Sequence, residues 1–213
     1  SSLNSLFLSK DRSLAINDAQ KKHYNIAILD DGFQDYSIKK DLSILCFNAG
    51  QLIGNGMTLP SGPLRENMSS IKKSQIILIN GKKNKEFENK IFNISKKVEI
   101  FYSSYIPMNI KDFKNKNLFA FAGIGNPNNF FKLLSDNNLN IKKKLIFPDH
   151  YEFSKLEIKE MIGEAKENKF ELITTEKDYF RIKKYNFKNV KFLKIKLNIF
   201  KKDKLIRKIL KCL

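Results

Sequence analysis

A chain of 213 residues is long enough for one large domain or two small ones, and 40 Lys and Arg against 22 Asp and Glu give it a net charge of +18. No apolar run approaches the about 20 residues of a bilayer-spanning helix, Ser1 does not begin a secretory signal, and the distant Cys46 and Cys212 exclude C-x-x-C chemistry and argue against a disulfide framework. The charge alone leaves three readings open: attraction to anionic lipid or a phosphorylated glycolipid, nucleic-acid binding, or a Lys-, Asn- and Ile-rich composition with no partner behind it.

Ser13 to His23 reads as a helix, with His23 in a structural place at its end. Asn25–Leu29 is apolar without polar alternation, which suits a buried strand of a parallel sheet, and it runs into Asp30-Asp31-Gly32-Phe33-Gln34. Leu42–Phe47 predicts the next strand, and a Gly- and Pro-punctuated loop follows over 49–63. Loops of that length without secondary structure are uncommon unless they work. Glu66–Lys73 predicts a short helix, Gln75–Asn80 a strand, Glu86–Lys97 a helix and Val98–Ile106 a strand.

The polar stretch Asn109–Asn117 then marks a boundary, with residues 1–110 on one side and 111–213 on the other. Beyond it, Leu118–Ala122 predicts a strand, Asn128–Ser135 a helix, and Lys144–Phe147 a strand carrying the Pro148-Asp149-His150 loop. Ser154 and Glu157 have the spacing of a capping box for a helix to Lys166. Phe170–Thr174 predicts a strand ending in Thr175-Glu176-Lys177-Asp178, Val190–Leu197 another, and a helix closes the chain. Alternating strands and helices predict an α/β fold with largely parallel sheets.

Several residues invite chemistry, each with a plainer alternative. Asp30 and Asp31 at a strand's carboxyl end can hold Mg²⁺ beside phosphate, or simply make a turn. Gln34 shares their loop and can reach a substrate or a metal-bound water. Arg65 can fork onto phosphate and Glu66 can complete a metal shell, or the two are a surface pair opening a helix. His150, one of two histidines, suits general-base work or the positioning of an acid that does it, or is an exposed turn residue. Lys177 can meet phosphate, or pair internally with Glu176 or Asp178. Gly123-Ile124-Gly125 is half of a dinucleotide fingerprint, but Asn128 stands at the third glycine, so a tight packing turn or contact with a polar ligand is favoured over NAD, and an NAD-dependent or methyl-transfer enzyme rests on these two glycines alone.

Taken in order, Ile28–Gln34, Gly54–Glu66, Phe119–Pro127, Phe147–His150 and Thr174–Asp178 resemble the tetraacyldisaccharide 4′-kinase family, lipid A 4′-kinases, from about Asp11-Arg12 to Arg181. The resemblance implies a P-loop-kinase-like parallel sheet followed by a smaller carboxyl-terminal α/β lobe. It implies transfer of the γ-phosphate of ATP, with Mg²⁺, to the 4′-hydroxyl of a tetraacylated glucosamine disaccharide 1-phosphate, giving lipid IVA. The catalytic residues it implies are His150, Asp31 and Arg65; Asp30, Asp31 and Glu66 would serve the metal, and Gln34 and Lys177 the nucleotide. Peripheral contact with the cytoplasmic face of an anionic inner membrane is implied, and no nucleic acid. The resemblance covers the later part of such an enzyme: no G-x-x-x-x-G-K-[ST] loop, amino-terminal membrane-associating helix or acidic residue just past that loop is found in the 213 residues, which predicts a poor kinase or none for these residues alone. Asp35, Asn48 and Asn67 depart from the family's usual His, Asp and Pro. The alternative from another class is a non-catalytic basic α/β module for nucleic acid or anionic membrane.

Overall fold

The computed structural model describes residues 5–212. The chain forms two compact units, Ser1–Ser103 with Ile199–Leu213, and Ser104–Asn198. The break falls a few residues before the polar stretch at 109–117, and the closing helix counts with the first unit.

In the first unit, helix α1 (Arg12–Lys21) is capped by Asp11, whose carboxylate accepts from the Ser13 N–H. It ends two residues earlier than predicted, at a left-handed His23 (φ 62°). Strands β1 (Ile44–Asn48), β2 (Ile76–Asn80) and β3 (Glu99–Pro107) follow, with helix α2 (Lys85–Ile94) joining the last two. They pair in parallel, Ile44 facing Ile76 and Ile76 facing Glu99. β2 is apolar from Ile76 to Ile79 because both of its faces are covered. Ile77 and Ile79 pack with Ile71, Phe87, Ile91 and Val98 on one face. On the other, Ile76 packs with Phe101 and Leu205.

The strand expected at Asn25–Leu29 does not form. Ile26 and Ile28 are exposed, Ile28 at 92%, and no strand among the described residues pairs with the run. An apolar run carries strand propensity, but a strand exists only with a ladder partner. The helix expected at Glu66–Lys73 is a 3₁₀ turn, Met68–Lys73, opened by Asn67, whose side chain accepts from the Ser69 N–H. That Asn takes the place of the family's usual Pro with a cap of its own.

In the second unit, β4 (Asn117–Ala122), β5 (Asn140–Ile146), β6 (Glu171–Thr175) and β7 (Val190–Leu193) make a sheet in the order β5-β4-β6-β7. Their pairings are parallel. Helices α3 (Pro127–Asp136), α4 (Lys155–Glu167) and α5 (Glu176–Ile182) connect them. β4 sorts its residues by face. Leu118, Ala120 and Ala122 leave room for Phe130, Phe131 and Leu134 of α3. Phe119 and Phe121 pack against Phe153, Ile158 and Met161 on the α4 side.

β5 begins four residues before its predicted start. Its lysines line an edge strand, with Lys143 over the Phe119 ring at 4.8 Å and Lys144 over Phe131 at 5.5 Å. Long stems lying on apolar surface make such lysines good strand residues and protect the edge. The strand expected at Val190–Leu197 divides into β7 and β8 (Ile195–Ile199). β8 joins the first sheet in the order β1-β2-β3-β8. Helix α6 (Lys202–Leu210) then buries Leu205 against Ile76 and Phe101, which is why the last residues belong with the first unit.

Candidate functional site

In the first unit the candidate residues gather on the Asp30–Asp35 turn, and Arg12 builds that turn. Its Nη2 donates to the carbonyl oxygens of Asp30 (3.2 Å) and Asp31 (3.3 Å), and its Nη1 to Asp35 Oδ2 (3.2 Å). The Asp11 cap starts the helix at Arg12 and so aims that side chain. Asp31 takes a left-handed φ of 52°, which Asp tolerates better than most residues. Gly32 is obligatory, because a Cβ there would sit 2.6 Å from the Leu29 Cβ. Asp35, where the family usually has His, is held below the ordinary carboxylate range by the Ser37 hydroxyl and then by Arg12. The two aspartates thus stand on a turn, not at the end of a paired strand.

Arg65 reaches this turn from the long loop, its Nη1 2.6 Å from Asp31 Oδ2. The hydrogen bond that Arg65 donates to the Asp31 carboxylate pushes the Arg65 pKa up. Glu66 points to different partners: its Oε1 accepts from the Tyr36 hydroxyl at 2.7 Å, and Lys73 Nζ lies 3.7 Å from its Oε2. Lys73 also donates to Tyr36 Oη at 2.8 Å and sits over that ring. Gln34 is half-buried and makes no side-chain hydrogen bond among the described residues.

Asp30, Asp31 and Glu66 do not converge. No group of three or more His, Cys, Asp and Glu among the described residues could hold a metal ion. A Mg²⁺ ion in a nucleotide enzyme usually needs one or two carboxylates, with phosphate oxygens and waters completing the octahedron. The exposed Asp30 carboxylate, which makes no side-chain hydrogen bond among the described residues, fits that smaller role.

In the second unit the hub is Asp178, whose side chain is fully buried. Its Oδ2 accepts from the Gly123 N–H (2.9 Å) and the Thr175 hydroxyl (2.8 Å), and its Oδ1 accepts from Arg181 Nη1 (2.9 Å). Arg181 Nη1 also donates to the Gly123 carbonyl at 2.8 Å, and Nη2 lies 3.2 Å from His150 Nδ1. His150 sits at φ 61°, its N–H donating to Asp149 Oδ1 at 2.9 Å. Lys177 pairs with neither Glu176 nor Asp178. Its Nζ lies 3.7 Å from Asp149 Oδ1.

The glycines of the half-fingerprint have local duties. A Cβ on Gly123 would come within 3.3 Å of Phe153, Tyr151 and the Pro148 carbonyl, and one on Gly125 within 3.1 Å of Asp149 Oδ2. They let this loop lie against the Pro148–His150 loop.

Sequence reasoning missed Arg12, Asp178 and Arg181 as members of these clusters. The signals were present in the Asp11-Arg12 pair at the start of the resemblance and the i, i+3 spacing of Asp178 and Arg181 on a helix.

The sequence profile of the family described as tetraacyldisaccharide-1-P 4′-kinase matches residues 2–213. A tetraacyldisaccharide 4′-kinase of Pelagibacter ubique (strain HTCC1062) is 41% identical over 209 residues, 97% of this chain and 67% of that protein. A tetraacyldisaccharide 4′-kinase of Rickettsia akari (strain Hartford) is 36% identical over 188 residues, 88% of this chain and 57% of that one. In fold, the chain is similar to LpxK from Aquifex aeolicus, crystallised in complex with ATP. The TM-score is 0.66 at 24% identity, over 93% of this chain and 61% of that one. The chain therefore spans between 57% and 67% of the length of these curated relatives. It belongs to the tetraacyldisaccharide-1-P 4′-kinase family.

Proposed function

We propose that this chain serves lipid A biosynthesis as part of an ATP-dependent kinase that phosphorylates the 4′-hydroxyl of tetraacyldisaccharide 1-phosphate to give lipid IVA. The observation that carries the reading is the family match over residues 2–213. In this reaction the acceptor oxygen bonds to the γ-phosphorus, the bond to the β–γ bridging oxygen breaks, and the hydroxyl proton leaves to a base. Such transfer depends mostly on positioning and on neutralising charge.

Arg65 and Asp31 supply the first of these needs. Arg65, fixed by Asp31 at 2.6 Å, would present its remaining guanidinium donors to a phosphate oxygen as charge builds there. Asp30 would hold Mg²⁺ together with phosphate oxygens, and the ion would neutralise charge on the phosphates. Glu66, tied to Tyr36 and Lys73, would act through water or by bracing the loop behind Arg65. Gln34 and Lys177 would contact nucleotide phosphate or its waters. His150 would handle the acceptor proton, as base or as the partner of the base.

The acceptor is a lipid, so we place the reaction at the cytoplasmic face of the inner membrane, with peripheral contact favoured by the charge of +18. No helix among the described residues is long and apolar enough to cross a membrane.

The test is transfer of labelled phosphate from ATP to tetraacyldisaccharide 1-phosphate by the product of the complete reading frame, with the 213-residue chain assayed beside it. Labelled lipid IVA from the former is expected, and its loss in Asp31→Ala. Absence of transfer, together with salt-sensitive binding to any polyanion, would replace the kinase reading with that of a basic binding module.

A further inference from the structure

We infer that Arg181, anchored by the buried Asp178, is a positioning residue that holds His150 as a neutral imidazole with its proton on Nε2. A guanidinium has five N–H donors and no acceptor, so the 3.2 Å contact between Arg181 Nη2 and His150 Nδ1 has one polarity: Nδ1 accepts. A neutral imidazole has one accepting and one donating nitrogen, which puts the proton on Nε2.

The anchor makes this more than a chance surface contact. Arg181 Nη1 is held twice, by Asp178 Oδ1 at 2.9 Å and the Gly123 carbonyl at 2.8 Å. Asp178 is itself immobilised by the Gly123 N–H and the Thr175 hydroxyl. With Nη1 spent on the interior, Nη2 is left facing the ring. The charged groups around the imidazole are Arg181, Asp149, whose Oδ2 is 3.8 Å from Nε2, and Lys177, which lies on the other oxygen of Asp149.

The consequence is a division of labour. Nδ1 cannot take up a proton without breaking from Arg181, and Nε2 already carries one, so His150 works as a donor. It orients an anionic oxygen, such as one on a phosphate, and does not accept the proton itself. This consequence rests on the reading of His150 in the proposed reaction; the tautomer does not.

The experiment is two-bond ¹H–¹⁵N correlation NMR of the imidazole nitrogens at about pH 8, above the ordinary histidine pKa of about 6.5. The wild-type chain is compared with Arg181→Met and Arg181→Lys. Expected is a single Nε2–H tautomer for His150, with Nδ1 unprotonated and hydrogen-bonded. In Arg181→Met, Nδ1 should lose the hydrogen-bond shift and move toward the averaged values of a free imidazole, with Arg181→Lys in between. A proton on Nδ1 in the wild type, or an Nδ1 signal unmoved in Arg181→Met, overturns the inference. The wild-type spectrum decides by itself if a variant does not fold.

The kinase assay on the complete reading-frame product supplies the second readout. Arg181→Met should lower kcat on the order of tenfold, as for other partners that orient a histidine ring, and leave the KM for ATP unchanged. A tautomer as expected with kcat unmoved in both Arg181→Met and His150→Ala would support the tautomer and remove His150 from the reaction.

Discussion

Arg65 Nη1 lies 2.6 Å from Asp31 Oδ2, joining two segments 34 residues apart, although both side chains are more than half exposed. An exposed ion pair adds little to stability because water already solvates both partners and the side chains lose rotamer freedom. The pair is therefore expected to matter for transfer and hardly at all for folding. Asp31→Asn, which keeps a side chain suited to the left-handed φ of 52°, and Arg65→Ala should each keep the unfolding midpoint within about 2 °C of wild type. Each should cut phosphate transfer by about a hundredfold or more, the scale of losing one preorganised charge-stabilising group. Arg65→Lys should rescue poorly, since an ammonium cannot hold Asp31 and a phosphate oxygen in one planar fork. Thermal unfolding and initial rates measured on the same preparations check this, and a large fall in midpoint with rate retained would reverse the assignment.

Arg12 is expected to control the order of the aspartate turn. It is the donor to the carbonyls of both Asp30 and Asp31, and it pairs with Asp35. Arg12→Ala should leave the two sheets intact while the amides of 31–35 exchange about tenfold faster with solvent, reporting local opening rather than global unfolding. Hydrogen exchange followed by mass spectrometry measures this directly. Unchanged protection over 31–35 would mean that the turn holds itself.

Much of the fold was legible because its signals are local. Leu118–Ala122 reads as a strand, which the structure buries from Leu118 on, and Ser154 with Glu157 reads as a capping box, which the structure forms in full. Asn25–Leu29 misled because propensity is local and pairing is not. The closing helix was legible as a helix, whereas its packing on Ile76 and Phe101 depends on contacts more than 100 residues away in the chain. At the site, the family motifs pointed to Asp31 and Arg65, which the fold joins. Asp178 was hidden for a physical reason: Glu-Lys-Asp reads as exposed charge, and a buried carboxylate is tolerable there because Thr175, Arg181 and the backbone N–H of Gly123, which follows β4, all donate to it.

Removing the Asp178 carboxylate should be the most damaging single change in the second unit. The side chain is fully buried and satisfies the Gly123 N–H, the Thr175 hydroxyl and Arg181. Asp178→Ala strands all three, with a guanidinium among them, and should cost about 3–5 kcal/mol. Asp178→Asn keeps one acceptor oxygen and should cost less. Urea unfolding gives both values, and a loss in Asp178→Ala no greater than for an ordinary surface substitution would show that water replaces the carboxylate.

The start of α4 is expected to give the second unit a pH signature. Glu157 Oε2 accepts from the Ser154 N–H at 2.8 Å while Ser154 Oγ accepts from the Glu157 N–H at 3.1 Å, and Glu157 Oε1 accepts from the Tyr151 hydroxyl. These bonds, Tyr151 first and then Ser154, hold the Glu157 carboxyl below its ordinary value of 4.5, and the same contact with Glu157 raises the Tyr151 phenol above its ordinary 10.0. The signs follow. A depressed carboxyl contributes stability that is complete above about pH 4.5 and is lost as pH falls through the folded value. A raised phenol contributes stability that is complete below about pH 10 and is lost as pH rises through its folded value. Glu157→Gln should therefore lie below wild type at neutral pH and converge with it on acidification, while Tyr151→Phe flattens the alkaline limb. Ser154→Ala, which removes the helix cap, should cost about 1 kcal/mol near neutrality. Urea titrations from about pH 3 to 12 measure all three. A wild-type to Glu157→Gln difference as large at the acid end as at neutrality would mean that the capping box contributes through shape and not through charge.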